Sequence, residues 1–511
     1  MTDTRFPLDK LLFRRQFILG PYFLERFKSW QKCTINNSIF LTVHPDLQVC
    51  QTNHEGKSLT LLGYILDPAN PKADNLDIVD TLIRQVETAK DVFAHTHALG
   101  GRWILIIDDG KDVLLFNDAT GCRQVFYTHD PSVEIWCASQ PGIMAEELGL
   151  ALDKDALDNF INTQAFQNRI EYWWPGDSSP YKEISHLLPN HYLDLYSGAC
   201  RRFWPHEKVE YISCEEAVKK GSLMLKRFIQ AACNRFELAL AVTGGWDSRL
   251  LLAATREVRQ DVFYYTLLYN RFYNLTETSP DVRTPSELLP QLGLLHHIIR
   301  CPSYMDDGFR QIYDRNVTTT HEAWGNIAQG IYEHYPQNRV CIKAVVNEVA
   351  RCYAPCRLAF FERPTAEKLA RISGMDTNSF AARHFKKWLS QTRETAARQN
   401  VNIMDLFYLE QRMGNWYAMS QTEWDIAQEV FEPFNCRNLI EVFLSVRDKY
   451  KRQPANRLYR MLIKELWPDV LNAPINPAPF RFKSVIKGLL MRTDLYQFAR
   501  STHARFQAPK S

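Results

Sequence analysis

The chain has 511 residues, of which 45% are hydrophobic and 23% charged, a balance typical of a globular protein with two domains. Its 61 basic and 58 acidic residues leave a net charge of +3, which gives no electrostatic footprint for nucleic acid or an anionic membrane surface. No run approaches the roughly 18 apolar residues of a membrane span, and twelve scattered cysteines favour reduced thiols over a disulfide framework. We therefore expect a cytoplasmic protein that binds neither nucleic acid nor membrane.

Residues 1–205 are dominated by strand-like runs that turn residues separate. The sequence Asp-Asp-Gly-Lys at 108–111 is typical of a hairpin turn between two such runs. This half of the chain is therefore predicted to form a β-rich α+β domain. The predicted strands are 38–43, 59–66, 103–108, 113–116, 125–127 and 192–196.

The hydrophobic period changes near Pro205, which predicts a second domain over residues 206–511. Ser213 and Glu216 have the spacing of a capping box, and apolar residues then recur at helical intervals. Strands and helices alternate beyond this point, as in a doubly wound parallel sheet, whose ligands lie at the carboxyl ends of the strands. We predict strands at 238–243, 262–268 and 296–300, with helices up to 257 and near 284–293, and a helical C-terminal part.

The most informative segment is the loop at 243–248, directly after the first of these strands. Gly244 and Gly245 allow successive backbone N–H groups to point into one concavity, and the helix that follows adds positive partial charge, so the loop suits phosphate oxygens. Thr243 and Ser248 can donate hydroxyl hydrogen bonds to the same oxygens, and Asp247 could hold a magnesium ion that bridges the phosphates. The alternative is an ordinary strand-to-helix turn with Asp247 or Ser248 as the N-cap.

The order Thr-Gly-Gly-Trp-Asp-Ser in this loop resembles the Ser-Gly-Gly-x-Asp-Ser loop of the asparagine synthetase and β-lactam synthetase family. The resemblance implies an ATP pyrophosphatase domain of the adenine nucleotide α-hydrolase type, with ATP and Mg²⁺ as cofactors. All six residues, Trp246 included, would then belong to the nucleotide site, and Asp247 would be a metal ligand. Members of the family activate a carboxylate as its adenylate and release pyrophosphate. Phosphate loops of the kinase type and dinucleotide fingerprints of the Rossmann type are absent from the sequence.

Several segments of residues 1–205 resemble the N-terminal glutaminase domain of asparagine synthetases, which implies an Ntn-hydrolase-like fold. The glutaminase chemistry is missing, because the chain begins Met1-Thr2 where the family has a nucleophilic cysteine. Leu62 stands in place of the asparagine of the oxyanion pair. Thr2 could act as an N-terminal nucleophile, but we favour an inert terminus. The segments that carry the resemblance are 100–106, 118–127, 136–139 and 184–193.

Residues 341–353 resemble the family segment Ser-Gly-Glu-Gly-Ser-Asp-Glu-Val-Phe-Gly-Gly-Tyr. In that alignment Glu348 is kept, Asn347 replaces the magnesium-binding aspartate and Ala344 replaces the catalytic glutamate. Asparagine is a poorer magnesium ligand than a carboxylate. Arg351 shares a helix face with Glu348, so it either forms an internal ion pair or clamps a substrate carboxylate or phosphate. Both Glu348 and Arg351 are candidate catalytic residues.

Two further positions match the family less directly. Asp281 stands where relatives have an aspartate at the start of a helix, and its role is either an N-cap or a ligand contact. Lys483, in the sequence Arg481-Phe-Lys483, matches an Arg-x-Lys that precedes a glycine-rich active-site loop in relatives. A lysine there would neutralise charge on the departing pyrophosphate, so Lys483 is the third candidate catalytic residue.

These observations predict an ATP-dependent, AMP-forming ligase that joins a carboxylate to a nitrogen nucleophile without glutaminase activity of its own. The carboxylate could belong to a small molecule, a peptide or a uronic acid. The nitrogen could come from free ammonia, from an amine on the substrate or from a separate donor protein. The alternative is a non-catalytic nucleotide-binding scaffold or regulatory partner. A tRNA-modifying relative fits the loop but not the charge of the chain.

Overall fold

The computed structural model describes residues 7–129, 134–167, 172–269, 275–351, 364–377 and 380–476. Three β-sheets organise this part of the chain, two antiparallel and one parallel. The protein is therefore a mixed α/β structure. Its strands are β1 Phe17–Gly20, β2 Gln31–Asn36, β3 Ile39–Val43, β4 Val49–His54, β5 Lys57–Leu66, β6 Gly100–Asp108, β7 Val113–Asn117, β8 Phe126–Thr128, β9 Cys137–Ala138, β10 Ile184–His186, β11 His191–Asp194, β12 Cys200–Arg202, β13 Glu237–Ala241, β14 Val262–Leu268, β15 His297–Arg300, β16 Arg339–Ile342 and β17 Glu429–Phe431.

Helices fill the spaces between and around the sheets. A π-helix, Tyr408–Tyr417, joins the helices Ile403–Phe407 and Ala418–Trp424 without a break. The longer helices are α1 Asn75–Gln85, α2 Pro141–Leu148, α3 Cys214–Cys233, α4 Trp246–Ala254, α5 Pro280–Gln291, α6 Asp307–Asn316, α7 Glu322–His334, α8 Ala366–Ile372, α9 Phe380–Arg398, α10 Ile403–Phe407, α11 Ala418–Trp424, α12 Arg437–Leu444 and α13 Arg457–Leu466.

The two antiparallel sheets pack face to face and form a four-layer αββα unit. One has the order β10-β8-β9-β1-β3-β2 and the other β12-β11-β7-β6-β5-β4. Side chains from both sheets share one core, while α2 covers the outer face of the first sheet and α1 that of the second. The strands that the sequence predicts in this half are confirmed with shifts of a few residues at their ends, and β6 and β7 form the predicted hairpin.

The third sheet is parallel, with the order β15-β14-β13-β16-β17. Its strand β14 has the predicted bounds, and β13 and β15 differ from prediction by one or two residues at their ends. Helix α5 begins at Pro280, four residues before its predicted start, because proline is well placed in the first turn, where its missing N–H costs nothing. The order of strands reverses at β13, because β14 pairs with one edge of β13 and β16 pairs with the other.

The antiparallel and parallel halves share a buried ionic cluster. Arg102 holds the carboxylate of Asp425 with N–O distances of 2.5 and 2.8 Å, and it also contacts Glu429 at 2.7 Å. Arg123 reaches Glu429 at 3.0 Å, and Arg15 lies 3.6 Å from the same carboxylate. A hydrophobic core also continues across the junction. The two halves therefore pack closely against each other. The division into domains at residue 205 stays a prediction.

A membrane-spanning segment would need a long, apolar helix. None of the helices in the described ranges meets both conditions.

Candidate functional site

The 243–248 loop lies at the carboxyl edge of the parallel sheet, where the order of strands reverses. It follows β13, whose neighbours are β14 and β16, and it leads directly into α4. A crevice forms at such a reversal because the helices on either side leave to opposite faces of the sheet. Gly245 is the N-cap of α4, and the first N–H groups of the helix have no side-chain cap. The strand, turn and helix follow in the order that the sequence predicts, and phosphate binding by the loop stays a prediction.

Hydroxyl groups form hydrogen bonds within the loop. The Thr243 N–H donates to Ser248 Oγ at 3.0 Å, and the two side-chain oxygens lie 3.1 Å apart. The Gly245 N–H donates to Thr243 Oγ1 at 3.3 Å. Thr243 and Ser248 therefore fix the turn as it stands, and a phosphate oxygen would have to share these partners or replace them.

Gly244 is required by a close approach between the loop and α5. A Cβ atom at this position would lie 3.0 Å from the carbonyl oxygen of Pro280, tighter than ordinary contact. The Gly244 N–H donates to Asp281 Oδ1 at 3.2 Å. The predicted N-cap role of Asp281 is wrong, because Ser279 precedes the helix and Asp281 lies in its first turn. Asp281 instead ties α5 to the loop.

Trp246 contributes its backbone to the loop but packs its indole elsewhere. The side chain is buried, its ring meets Tyr459 edge-on at 6.2 Å, and the Arg460 guanidinium lies 4.8 Å from its centroid. The indole therefore anchors α4 on α13. Only the backbone of Trp246 is available to the predicted nucleotide site, and its part in that site stays a prediction.

Asp247, Glu348 and Arg351 meet in one ionic cluster beside the loop. The Arg351 Nε and one terminal nitrogen each lie 2.8 Å from a different oxygen of Asp247, and the guanidinium also contacts Glu348. Burial lowers the pKa of Arg351, but the Glu348 and Asp247 carboxylates outweigh it and raise that pKa. Burial raises the pKa of Glu348, against the opposing effect of Arg351. The structure thus brings together three predicted site residues that lie up to 104 positions apart.

The side chains around Asp247 do not fit a protein-bound magnesium ion. Both Asp247 oxygens already accept hydrogen bonds from Arg351, and the Tyr459 hydroxyl lies 2.9 Å from one of them. Asn347 donates to the backbone oxygen of Asp247 at 3.2 Å and offers no carboxylate. A metal ion here would face the guanidinium at close range, and like charges repel strongly when partly buried. In this structure the counter-ion of Asp247 is Arg351, and magnesium binding by Asp247 stays a prediction that these contacts do not favour.

Two buried side chains that the sequence pattern does not single out, those of Glu432 and Lys343, belong to or contact the segment after β16. The carboxylate of Glu432, buried at the end of β17, accepts hydrogen bonds from the N–H groups of Val345 and Val346 at 2.9 and 3.1 Å. Burial raises the pKa of Glu432 to about 8, although these hydrogen bonds oppose the shift. Lys343 is also buried, and its ammonium lies 4.4 Å from the centroid of the Trp424 ring. Ala344 occupies the family's catalytic glutamate position and provides no acid or base.

One predicted residue and one groove do not belong to the candidate site as the structure describes it. Lys483 lies outside the described residues, so its assignment stays a prediction. A groove of about 810 Å³ lies between the amino ends of strands such as β13 and β14, at the edge opposite the loop. We place the candidate site at the carboxyl edge because the uncapped helix and the ionic cluster lie there.

No protein-family model matches this sequence. No curated protein matches it at a significant level either. Among solved structures, the chain is similar to one described as the allosteric regulatory enzyme of purine biosynthesis, with 12% identity over 61% of this chain and 75% of that chain and a TM-score of 0.25. It is also similar to a glutamine phosphoribosylpyrophosphate amidotransferase from B. subtilis complexed with ADP and GMP, with 11% identity, coverage of 66% and 77%, and a TM-score of 0.21. At these values the similarities carry no conclusion about the activity of this chain.

Proposed function

We propose that the protein is an ATP-dependent ligase of the asparagine synthetase type, which activates a carboxylate as its adenylate and passes the acyl group to a nitrogen nucleophile. The observation that carries the proposal is the 243–248 loop, whose residues and position both suit a leaving pyrophosphate. The loop ends β13 at the reversal of strand order and opens an uncapped helix. Backbone N–H groups and a helix N-terminus can hold pyrophosphate oxygens without further positive charge.

The order of strands in the parallel sheet also supports an ATP pyrophosphatase domain. In sheets of this kind a nucleotide binds across the carboxyl ends of the strands at the reversal of strand order, which here lies between β14 and β16. Three cationic side chains belong to this part of the protein, Lys343, Arg351 and Arg412. Arg412 acts on Glu348 electrostatically and stacks 3.4 Å above the Trp416 ring. Cations so placed can stabilise charge that grows on phosphate oxygens as the bond between the α and β phosphates breaks.

The αββα half supports a glutaminase-like fold that has lost its function. Residues 7–16 precede β1, where family members expose a nucleophile, and they are fixed in the protein by their side chains. Arg14 pairs with Asp46 at 2.6 Å and donates to the carbonyl of Ile426 at 3.1 Å. Leu62, with no exposed surface, provides no oxyanion donor from its side chain. We therefore propose that the nitrogen comes from free ammonia, an amine on the substrate or a separate donor protein.

A second candidate is a nucleotide-binding scaffold without turnover. It is favoured by the replacement of two family carboxylates with Ala344 and Asn347, and by the capture of Asp247 in an internal ion pair. Under this proposal the loop still binds ATP, but nothing next to it promotes attack on the α-phosphate.

Exchange of labelled pyrophosphate into ATP separates the two candidates. The assay is run with a panel that contains L-aspartate, glucuronate and a short peptide with a free carboxyl terminus. A ligase incorporates label into ATP only when an acceptable carboxylate is present, since exchange requires reversible adenylation. A scaffold binds ATP in a thermal-shift control and shows no exchange with any member of the panel.

A further inference from the structure

We propose that Lys343 binds the carboxylate of the substrate. This inference rests on the proposed function and deepens it, because it names the residue that recognises the group to be activated.

Lys343 stands at the carboxyl edge of the sheet, on the strand next to the loop. It directly follows β16, which pairs in parallel with β13, and its N–H donates to the carbonyl of Phe431 at 2.8 Å. Four residues later the same segment reaches the loop, where Asn347 donates to the backbone of Asp247. Lys343 therefore lies at the same edge of the sheet as the loop, one strand away from it.

The Lys343 ammonium has no anionic partner within the described part of the chain. The residue is only 8% exposed, and its charged end packs on the face of Trp424. Glu432 is near enough to raise the pKa of Lys343 but forms no salt bridge with it, since its oxygens accept N–H groups from Val345, Val346 and Phe434. Burial outweighs this effect and lowers the pKa of Lys343.

Burying a cation without a counter-ion costs free energy of folding. An unpaired buried lysine beside the proposed site therefore indicates a role in binding an anion. The contact with Trp424 compensates only in part, because a cation over an aromatic ring gains far less than a salt bridge in the same surroundings. A bound carboxylate would supply the missing counter-ion and hold Lys343 in its charged form. In the proposed reaction the loop and Arg351 would bind the phosphates of ATP. Lys343 would then bind the other anionic reactant, which is the carboxylate substrate.

The test compares two buried lysines that differ in their partners. Lys451 is 1% exposed and has both Asp448 at 3.3 Å and the carbonyl of Phe443 at 3.5 Å. In each case substitution by methionine keeps the apolar stem and removes the charge. We expect Lys343→Met to keep or raise the melting temperature of the ligand-free protein, by about 1–3 °C. Lys451→Met should lower it, because that change removes the nearer cation from Asp448 and leaves it with Arg452, at 3.9 Å.

In the exchange assay, Lys343→Met should raise the KM for the best carboxylate by about 30-fold or more, with the KM for ATP unchanged. A drop in melting temperature as large as that of Lys451→Met would overturn the proposal, because it would show a structural role. Exchange by Lys343→Met equal to that of the wild type would overturn the role of Lys343 alone. No exchange by the wild type with any carboxylate would instead overturn the proposed function, and the substrate role with it.

Discussion

Arg351 holds both carboxylate oxygens of Asp247, with N–O distances of 2.8 Å on each side. The pair stands beside the 243–248 loop, where the resemblance to asparagine synthetases implies a magnesium ion. A guanidinium in a bidentate bond with a carboxylate fixes both its charge and its orientation. The chain thus supplies its own cation next to the loop, and this arrangement has a measurable consequence for metal binding.

Replacing Arg351 should allow a metal ion to bind at Asp247, where the guanidinium of Arg351 opposes it. In Arg351→Gln, Asp247 and Glu348 lose their shared cation and become free to bind a divalent ion. We expect binding of Mn²⁺, followed by electron paramagnetic resonance on the nucleotide-free protein, to appear in this variant and to be absent from the wild type. Arg383→Gln is the control, since Arg383 pairs with Asp155 on the surface. Equal Mn²⁺ binding in the wild type and Arg351→Gln would show that Arg351 does not exclude the ion.

The two glycines of the loop should respond differently to alanine. A Cβ at position 244 would press on the Pro280 carbonyl at 3.0 Å, whereas at position 245 its nearest neighbours lie 3.5 and 3.6 Å away, an ordinary contact. ATP at a hundredfold excess over its dissociation constant should stabilise the wild type by about 2.7 kcal/mol. Gly244→Ala should weaken ATP binding about tenfold and remove about 1.4 kcal/mol of this effect. Gly245→Ala should keep it.

Thermal unfolding with and without ATP measures this difference. The comparison is between shifts and not between absolute melting temperatures, so a change in the stability of the ligand-free variants does not affect it. The same ATP shift in both variants would mean that the nucleotide does not depend on the shape of the loop.

Glutamine should not be a nitrogen source for this protein. Leu62 replaces an oxyanion donor, and Arg14 and Arg15 anchor the segment before β1 in the interior. Incubation with glutamine should therefore release glutamate no faster than buffer does, measured with a coupled glutamate dehydrogenase assay. Release well above that background would contradict our interpretation of the αββα half.

Buried histidines should contribute to the loss of stability in mild acid. Burial lowers the pKa of His186 to about 4, and its Nδ1 lies 2.7 Å from Asn415 Oδ1. Between pH 4 and the ordinary histidine value near 6.5, the unfolded chain binds a proton that the folded chain does not. The contribution of His186 to the free energy of unfolding therefore rises with pH across this window and is lost as pH falls through it, whereas Glu432, whose pKa burial raises to about 8, contributes in the opposite direction.

The variant His186→Gln should flatten part of this dependence, by up to about 1.4 kcal/mol per pH unit. Urea unfolding at a series of pH values measures the slope. His44 and His191 have their pKa lowered to about 4 by burial as well, so a residual slope should remain. An unchanged slope in His186→Gln would show that this histidine is protonated in the folded protein.

Much of the fold follows from local pattern, because burial and hydrogen bonding repeat along a strand. The run Val262–Leu268 is rich in β-prone residues and forms β14 with the predicted bounds. The turn at 243–248 follows from the same kind of local signal, since two glycines stand between a predicted strand and a predicted helix, while its phosphate binding stays a prediction. The start of α5 is less well defined by the pattern, which indicates both 284 and Asp281, whereas the helix begins at Pro280.

The site could be predicted only in part, because its chemistry depends on side-chain partners from distant segments. The sequence left open whether Arg351 pairs internally or clamps a ligand, and its partner Asp247 lies 104 positions away. Nothing local marks Lys343 as unpaired or Trp246 as packed on Tyr459, since both facts depend on how helices meet across the sheet. For Asp281 the sequence leaves open an N-cap or a ligand contact, and its carboxylate instead accepts a hydrogen bond from the Gly244 N–H of the loop.

The products of ATP cleavage test the central claim most directly. The protein is incubated with ATP labelled at the α-phosphate, ammonium and each carboxylate of the panel, and the nucleotides are separated by chromatography. The account predicts labelled AMP that appears only with an acceptable carboxylate, in amounts equal to the pyrophosphate released. Labelled ADP, or complete recovery of ATP from a protein that binds it, would contradict the proposed ligase.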